Sequence, residues 1–398
     1  MNQPRLDQAV PGGHKPRLVI LQTHPIQYYA PLYQVLAQRG VVDVHVLYLT
    51  DAGAVAHLDE KFGTQFHWDI PLLDGYPYTV LQPGTPIQGR NVFQRDAPGL
   101  VTELERLAPD WILIYGYSGR YIWKAVAWAK RHGVRVGYSS DSNIRDQRRG
   151  LKALAKQMVL RPFFRMIDAC FATSEANGEY LASYGVDPTR IHRMPFTIDV
   201  ARFAQNALPP GEERPYAFIW AGKLDNNKRC QDFLAALQRL AECGAGPMRV
   251  AIAGDGVLRA SLENQARDLP ENCSVDFLGF VNQAAMPATL QLAAALAFTS
   301  EREAYGLIAT EAAAGGLALV VADNIGCVGS TVLAQPGVNA LTYRSGDVGG
   351  LAAAMKTLLE DVEMLHRMQA ASIEIAKEHS PDVAAQVIER VVVTGGKQ

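Results

Sequence analysis

The chain has 398 residues, more than one hydrophobic core usually organises and enough for two domains. Hydrophobic residues make up 48% and charged residues 20%, the composition of an ordinary globular protein rather than a disordered or fibrous one. Lys and Arg total 38 against 40 Asp and Glu, a formal net charge of −2, which argues against a basic nucleic-acid-binding surface and leaves no nucleic-acid partner to expect.

The cysteines and the N-terminal residues indicate the cellular compartment in which the protein is expected. The five cysteines are scattered, with no C-x-x-C and no nearby histidine pair, so we expect reduced thiols in a cytoplasmic protein and no disulfide framework or structural zinc site. The first 15 residues lack the apolar segment of a signal peptide, and we interpret them as a loose tail. No run of 18 apolar residues predicts a membrane-spanning helix.

From Arg17 onward, short apolar segments alternate with segments of helical period. Continuous apolar strands separated by helices predict parallel sheets that are covered on both faces. The predicted strands lie at 18–22, 43–49, 111–115, 134–138, 169–173 and 190–194 in the first half, and at 216–220, 250–253, 275–278, 295–299 and 318–322 in the second.

The two series of strands are separated at 205–215, where NALPPGEERP is rich in Pro, Gly and charge and has no hydrophobic period. We therefore predict one doubly wound domain at 16–205 and a second at 206–380. The segment 381–398 has helical period and is expected to cross back onto the first domain. Ligands of such sheets bind beyond the carboxyl ends of the strands, so the residues that follow each strand are the functional candidates.

Two stretches of the second domain combine glycine with charge after a strand. Gly222 and Lys223 follow YAFIW, and Lys228 lies five residues further on. Two ammonium groups near a glycine turn can neutralise a diphosphate, although lysines beside a turn are more often solvated. Gly254-Asp255-Gly256 joins a buried strand to a helix, either as a tight turn alone or where backbone approaches a nucleotide; the spacing is not that of the dinucleotide fingerprint.

A third stretch, AFTSEREAYGLIATEA at 297–312, places Glu303 in a loop between a strand and a helix that starts near Gly306. The exposed N–H groups and the positive dipole end of such a helix form a seat for a phosphate. Glu311 falls within an apolar segment, so its carboxylate either caps the helix and faces solvent or accepts hydrogen bonds from the vicinal hydroxyls of a sugar.

In this order and spacing, GKLDNNK, GDG, FLGFV and TSEREAYGLIATEAAAGG resemble the retaining nucleotide-sugar glycosyltransferases of family 4. Glu303 and Glu311 reproduce the E-x7-E of that family, and the resemblance spans the second domain. In the first domain, THPIQYYAPLYQVL, FGTQFHWDIPLLDGYPY and VGYSSDSN resemble a bacterial subgroup with an HPIQY motif. The resemblance implies an α/β protein of the GT-B fold, with two doubly wound Rossmann-like domains facing each other across a cleft.

The resemblance also implies roles for individual residues. Lys223 and Lys228 would hold the donor diphosphate and stabilise the charge that develops as it leaves, so that no metal ion and no cofactor are expected besides the nucleotide-sugar substrate. Lys223 stands where the family usually has Arg. The lysine keeps the positive charge but lacks the bidentate fork of a guanidinium. Glu303 would contact the donor sugar and Glu311 the ribose. The implied donor-binding residues are Gly222, Gly254, Asp255, Gly256, Val257, Phe280, Val281, Tyr305, Gly306, Leu307 and Glu311.

Candidates for the acceptor side come from the first domain. His24 follows the first strand and is either a packing or capping residue or a catalytic one. Asp141 and Asn143 follow VRVGYSS and either bind acceptor hydroxyls or form an Asx turn. The acceptor-binding set is completed by the loop residues Gln27 and Tyr28, whereas Trp68 and Asp69 are interpreted as structural.

A basic amphipathic segment lies at 145–165. Its seven Lys and Arg residues against one Asp give a net charge of 7 − 1 = +6, and apolar side chains are interleaved with them. Such a helix predicts peripheral contact with anionic lipid at the inner face of the cytoplasmic membrane. The alternatives are a solvated helix packed on its own sheet or a site for a phosphorylated acceptor.

The leading hypothesis is a metal-independent, retaining glycosyltransferase that uses a UDP or GDP sugar and a glycan, lipid-linked or small-molecule acceptor, in bacterial polysaccharide or glycoconjugate biosynthesis. A nucleotide-sugar 2-epimerase of similar architecture would need acid and base groups in the cleft but no acceptor groove. A non-catalytic nucleotide-sugar-binding protein would have lost phosphate or sugar contacts. The E-x7-E together with the lysine pair favours transfer.

Overall fold

The computed structural model of the chain describes residues 15–54, 57–59, 64–66, 68–86, 96–144 and 151–396. It contains a seven-stranded and a six-stranded sheet, both entirely parallel, with helices between the strands. The fold class predicted from the alternating pattern, two doubly wound α/β domains, is confirmed.

Among the described residues, the first domain carries nine strands and five helices, and a sixth helix, α6, lies on the linker to the second domain. The strands are β1 (Arg17–Gln22), β2 (Asp43–Tyr48), β3 (His57–Asp59), β4 (Thr64–Phe66), β5 (Tyr78–Val80), β6 (Trp111–Tyr115), β7 (Arg135–Ser140), β8 (Ala169–Ala172) and β9 (Ile191–Arg193). The helices are α1 (Ala30–Arg39), α2 (Leu100–Leu107), α3 (Arg120–His132), α4 (Leu151–Arg165), α5 (Glu175–Ser183) and α6 (Val200–Ala204). The sheet order is β5-β2-β1-β6-β7-β8-β9, and β3 and β4 form a separate antiparallel pair.

Both faces of this first sheet are buried, which explains why its strands are continuously apolar. In β1, Leu18 and Ile20 pack into a cluster with residues of α1, whereas Val19 and Leu21 pack into a second cluster on the other face. Successive side chains of a strand point to opposite faces, so a strand covered on both sides has no polar positions to alternate with. The run LVIL is therefore a consequence of two layers of helices.

The second domain follows the same plan. Its strands are β10 (Tyr216–Ala221), β11 (Met248–Ala253), β12 (Cys273–Gly279), β13 (Ala293–Phe298), β14 (Ala318–Ala322) and β15 (Ala340–Tyr343), in the order β12-β11-β10-β13-β14-β15. The helices are α7 (Cys230–Glu242), α8 (Arg259–Arg267), α9 (Met286–Gln291), α10 (Leu307–Ala314), α11 (Val348–Glu360), α12 (Val362–Lys377) and α13 (Pro381–Thr394).

Helix α13 leaves the second domain and packs on the first. Its residues Ala384, Ile388 and Val391 are buried in the same cluster as Leu18 and Ile20 of β1. Arg39 of α1 forms an ion pair with Glu389 at 2.9 Å, and Glu389 is 1% exposed. The core of the first domain is thus completed by the last helix of the chain.

The strand order reverses at one point in each sheet, between β1 and β6 in the first and between β10 and β13 in the second. A crevice opens beyond the strand ends at such a point. The loops that follow these four strands therefore define where a ligand can enter.

Two features differ from the prediction made from sequence or fall outside the described residues. The edge strands β5 and β15 and the β3–β4 pair were not predicted, because segments of three or four residues carry no readable period. Of the basic segment, Arg145, Arg148 and Arg149 lie outside the described residues. Within the part of the chain that the structure describes, no helix has the length and apolar character needed to cross a membrane.

Candidate active site

A cavity of about 740 Å³ lies between the two domains, where the strands of both sheets end. Most of the predicted site residues line it. From the second domain these are Gly222, Lys223, Lys228, Gly254, Asp255, Phe280, Val281, Glu303, Tyr305, Gly306, Leu307 and Glu311, and from the first domain Tyr28 and Asp141.

Lys228 and Glu303 form an ion pair at the edge of this cavity, through Nζ and Oε2. Both side chains are about a quarter exposed, at 24% and 25%. Asp225 holds the loop before Lys228, since its Oδ1 accepts hydrogen bonds from the backbone N–H groups of Asn227 at 3.0 Å and Lys228 at 3.1 Å. The pair brings together a cation that follows β10 and a carboxylate that follows β13.

Contacts between the two loops keep this pair in place. The backbone N–H of Glu301 donates to the carbonyl oxygen of Asn227 at 2.7 Å, and the side chain of Asn227 donates to the carbonyl of Arg302 at 3.0 Å. Beneath them, Trp220 donates to the hydroxyl of Thr299 at 2.9 Å, and that hydroxyl donates to the carbonyl of Lys228 at 2.8 Å. The adjacent central strands β10 and β13 therefore fix the geometry of the lysine and the glutamate together.

Two glycines allow the backbone to close around the cavity. A Cβ at Gly254 would lie 1.9 Å from the carbonyl oxygen of Gly222, so only glycine fits where the β10 and β11 loops touch. Gly306 has a φ of 97° and precedes α10, and a Cβ there would lie 2.4 Å from the ring of Phe298. Gly306, Leu307 and Ile308 at the start of α10 line the cavity together with Lys228, so the amino end of this helix lies beside the lysine.

Glu311 is the most deeply buried carboxylate of the site. It lies on α10, is 1% exposed, and its Oε1 has no hydrogen-bond partner among the described residues. Burial raises the pKa of Glu311 to about 7, although the positive charge of Arg202 and a hydrogen bond from Gln283 both lower it. A buried acceptor atom that lacks a protein partner and lines a cavity is a natural contact for a ligand hydroxyl.

The remaining predicted residues lie outside the lining. His24 is half-buried, with its Nδ1 2.8 Å from the hydroxyl of Thr23, and Gln27 is half-buried beside Tyr28. Gly256 follows the cavity residue Asp255, and Val257 is 80% exposed. Asn143 is 3% exposed and donates through Nδ2 to the carbonyl of Ala304 at 3.3 Å, which joins the two domains next to Glu303.

Aromatic residues of the first domain form the opposite wall, and most of them were not predicted from sequence. Tyr29, Trp68, Tyr115 and Tyr117 line the cavity together with the hydroxyl residues Ser118, Ser140 and Ser142. Tyr29 and Tyr115 have ring centroids 4.5 Å apart. Tyr115 and Tyr117 lie at the end of β6, so the strand-end rule that selected Asp141 would also have selected them. Trp68, interpreted as structural from sequence, lines the cavity.

Gln283 and Phe196 are further cavity residues that no sequence motif indicated. Phe196 packs edge-on against Tyr29 of the first domain and Tyr305 of the second, at centroid distances of 5.6 and 5.3 Å. The hydroxyl of Tyr305 lies 3.1 Å from Nδ1 of His379, a buried histidine whose pKa is lowered by burial to about 4. The floor of the cavity is thus an aromatic contact between the domains.

Two family models match the chain, one for each domain. The model described as Glycosyltransferase Family 4 matches residues 27–202, and the model described as Glycosyl transferases group 1 matches residues 204–374. The two matches meet at the linker that carries α6.

Curated relatives come from Mycobacterium tuberculosis. A glycogen synthase is 34% identical over 190 residues, which are 48% of this chain and 44% of that protein. A GDP-mannose-dependent alpha-(1-6)-phosphatidylinositol dimannoside mannosyltransferase is 28% identical over 247 residues, which are 56% of this chain and 60% of that protein. The chain therefore aligns with less than two thirds of the length of these relatives.

Solved structures with the same fold cover nearly the whole chain. HepE (Alr3699) from Anabaena, crystallised with UDP, superimposes with a TM-score of 0.68 at 17% identity, covering 95% of this chain and 100% of that one. The lipopolysaccharide outer core galactosyltransferase WaaB superimposes with a TM-score of 0.64 at 14% identity, covering 95% and 99%. At these identities the comparison establishes the fold alone.

Proposed function

The two domains of this GT-B chain match glycosyltransferase family models over 27–202 and 204–374, and from that premise we propose that the protein is a retaining glycosyltransferase. Its donor is a nucleoside diphosphate sugar with uracil or guanine as the base, and its acceptor is a hydroxyl of a glycan, lipid-linked or small molecule of the bacterial polysaccharide or glycoconjugate class. The observation that carries the proposal is the Lys228–Glu303 pair beside the start of α10 and the buried Glu311, all in one interdomain cavity.

Donor binding follows from the charges of the second domain. The diphosphate lies between the ammonium groups of Lys223 and Lys228 and the N–H groups at the start of α10, three sources of positive potential that line one cavity. The ribose hydroxyls donate to Glu311, and the hydroxyls of the sugar donate to Glu303. These fixed positive groups take the place of a divalent cation, so we expect activity to persist in a chelator.

Transfer proceeds on one face of the sugar. The acceptor oxygen bonds to C1 on the side from which the diphosphate leaves, while the bond between C1 and the phosphate oxygen breaks. The proton of the acceptor hydroxyl passes to that departing oxygen, so the products are the glycoside and the nucleoside diphosphate. Lys223, Lys228 and α10 stabilise the charge on the leaving group, and Glu303 orients the sugar rather than forming a covalent intermediate.

The acceptor occupies the aromatic wall of the first domain. Asp141 lines the cavity beside hydroxyl residues and accepts hydrogen bonds from acceptor hydroxyls, while Tyr117 and Trp68 offer ring faces to a sugar. Tyr28 contributes from the same wall, and its pKa is raised well above its ordinary value by burial and by the charge of Glu311. The tyrosine is therefore a neutral hydroxyl next to the donor half of the site.

The test is release of nucleoside diphosphate from UDP and GDP sugars, with and without acceptor extract, in a chelator. We expect acceptor-dependent release, and a loss of about 100-fold or more in Lys228→Ala and in Glu303→Ala, because each removes a group that acts on the reacting sugar or its leaving group. Chromatography of the recovered donor separates transfer from epimerisation at C2.

Matched controls come from a second lysine–glutamate pair far from the cavity. Lys356 and Glu360 of α11 lie 3.6 Å apart and are 46% and 68% exposed, so Lys356→Ala and Glu360→Ala should retain full activity. Turnover at wild-type rates in both cavity variants would reject the site, and recovery of an epimerised donor without transfer would reject the reaction.

We also propose that α4 contacts anionic lipid. Leu154, Met158 and Val159 are 57%, 71% and 54% exposed, and the 15 residues of α4 include no acidic side chain. Arg161 and Arg165 are exposed on the same helix. Lys156 does not share this role, because its ammonium lies over the rings of Tyr117, Tyr180 and Tyr184 at 5.2 to 6.0 Å.

Flotation with vesicles tests this contact. At low salt, vesicles of phosphatidylcholine with phosphatidylglycerol should carry the protein upward, whereas pure phosphatidylcholine vesicles should not. Replacing Leu154 and Met158 together by Gln should reduce flotation, while Val362→Gln on α12, also an exposed apolar position at 52%, should leave it unchanged. Failure of the wild type to float with anionic vesicles would end the idea.

A further inference from the structure

A chain of polar contacts leads from the interdomain linker to the buried carboxylate of the cavity. Arg202 lies on α6, the short helix between the domains, and is not itself part of the lining. Its Nη2 donates to Oε1 of Gln283 at 2.7 Å, and its Nη1 donates to the carbonyl oxygen of the same residue. Gln283 is 4% exposed, lines the cavity together with Glu311, and as a donor lowers the pKa of that carboxyl.

The guanidinium determines which way the amide of Gln283 points. Arginine carries only donors, so the group of Gln283 that faces Arg202 must be its oxygen. The amide nitrogen of Gln283 is then the end left to interact with Glu311, in keeping with the lowering of that carboxyl's pKa by Gln283. Oε1 of Glu311 has no hydrogen-bond partner among the described residues, and Glu311 lines the cavity beside Gln283.

Charges on several elements act on Glu311. Arg202 is the cation that lowers the pKa of the carboxyl, and Arg202 is itself 3.8 Å from Asp199, which caps α6. Tyr28 approaches from the first domain, and both Glu311 and Glu303 raise the pKa of its hydroxyl, so that group stays neutral. Glu303 is paired with Lys228. Arg202 is therefore the charge that opposes the desolvation of Glu311.

We propose that Arg202 is a positioning residue for nucleotide binding: through Gln283 it holds the Glu311 carboxylate so that Oε1 accepts hydrogen bonds from the vicinal hydroxyls of the ribose. The inference rests on the proposed use of a nucleotide-sugar donor and adds a residue outside the cavity to its recognition. Because Arg202 sits on the linker, the ribose contact depends on a segment that belongs to neither sheet.

The experiment is calorimetric titration of UDP and GDP into the full chain between pH 5.5 and 8.5. Wild-type binding should weaken as the pH falls through about 7, because protonation removes the carboxylate that accepts from the ribose. Arg202→Met keeps packing against Phe203, whose ring lies 4.5 Å from the guanidinium, but removes the fork. Arg202→Met should lower the nucleotide affinity about tenfold at pH 7, which corresponds to the loss of about one hydrogen bond to a charged group. The pH at which binding weakens should also rise, because the cation that lowers the pKa of Glu311 is gone.

Four further measurements make the role specific. Arg202→Lys should restore part of the affinity, since it keeps the charge without the fork. Gln283→Leu should reproduce the loss with Arg202 intact, which separates positioning from a folding defect. In the Glu311→Gln background, Arg202→Met should cost nothing more. Nucleoside diphosphates that lack the 2′- and 3′-hydroxyls should bind the wild type and Arg202→Met equally.

Arg249→Met is the matched control. Arg249 lies near the start of β11, outside the cavity lining, and pairs with Asp276 at 2.6 Å, so its replacement should leave both the affinity and the pH dependence unchanged. If the wild type and Arg202→Met bind nucleotide with the same affinity and the same pH dependence, this inference is overturned and the proposed function stands. No binding of either nucleotide by the wild type would overturn both.

Discussion

Lys228 and Glu303 form an ion pair in the cavity, whereas in the proposed reaction Lys228 binds the diphosphate and Glu303 binds the sugar. An ammonium paired with a carboxylate is a weaker attractor of phosphate than a lone ammonium, because the carboxylate also repels the diphosphate. The pair therefore works against binding of the nucleotide alone. In the proposed reaction the sugar of an intact donor occupies Glu303 and reduces this competition, so we expect the intact donor to bind more tightly than the product nucleotide.

Glu303→Gln should consequently have opposite effects on binding and turnover. We expect the affinity for UDP or GDP to rise about fivefold, the worth of a partly exposed ion pair of about 1 kcal/mol, while transfer falls about 100-fold or more. Lys228→Met, the reciprocal change, should weaken nucleotide binding. Titration calorimetry beside a turnover assay checks both signs, and weaker nucleotide binding in Glu303→Gln would contradict the account.

At the scale of elements, the site is set by how closely β10 and β11 bring their following loops together. The carbonyl oxygen of Gly222 occupies the space that a side chain at Gly254 would need. Gly222 in turn donates its N–H to the carbonyl of Ala253 at 3.0 Å, and Gly254 donates to the carbonyl of Gly279 at 2.7 Å. Any added atom at Gly254 must push apart loops that both line the cavity.

Gly254→Ala should therefore lower the free energy of unfolding by about 2–4 kcal/mol and weaken nucleotide binding, because the obstructing atom is backbone and cannot rotate away. Gly246→Ala is the matched control. A Cβ at Gly246 meets no atom within 4 Å, so stability should be unchanged or rise by up to about 1 kcal/mol. Urea unfolding of the two variants measures the difference, and equal stabilities would show that the loops can separate without cost.

The elements that the sequence could predict are those with a strong local pattern. Central strands such as LVIL of β1 and ALVVA of β14 are buried, and the residues after β10, β11 and β13 line the cavity because strand ends meet at one edge of a sheet. The contact between Arg202 and Gln283 joins residues 81 positions apart, and no local pattern encodes which distant amide an arginine meets. The short edge strands β5 and β15 were missed because three or four residues are too few to show a hydrophobic period.

At the scale of the whole molecule, the two domains are joined by more than their linker. The backbone N–H of Ala284 donates to Asp69 at 2.9 Å, and Asn143 donates to the carbonyl of Ala304. Phe196 fills the space between Tyr29 and Tyr305 below the cavity. Loops from both domains therefore touch around the cavity, so its two walls are held against each other.

Helix α13 has a consequence for how the protein is made. The hydrophobic cluster of the second domain runs to Ala376, so it can be complete before α13 leaves the ribosome. The face of the first sheet that carries Leu18 and Ile20 is completed by Val391 and Val392, which are translated after the second domain. Domains usually fold in the order of their synthesis, N-terminal first. Here the first domain is synthesised before the second, yet it cannot bury this apolar face fully until α13 has been synthesised.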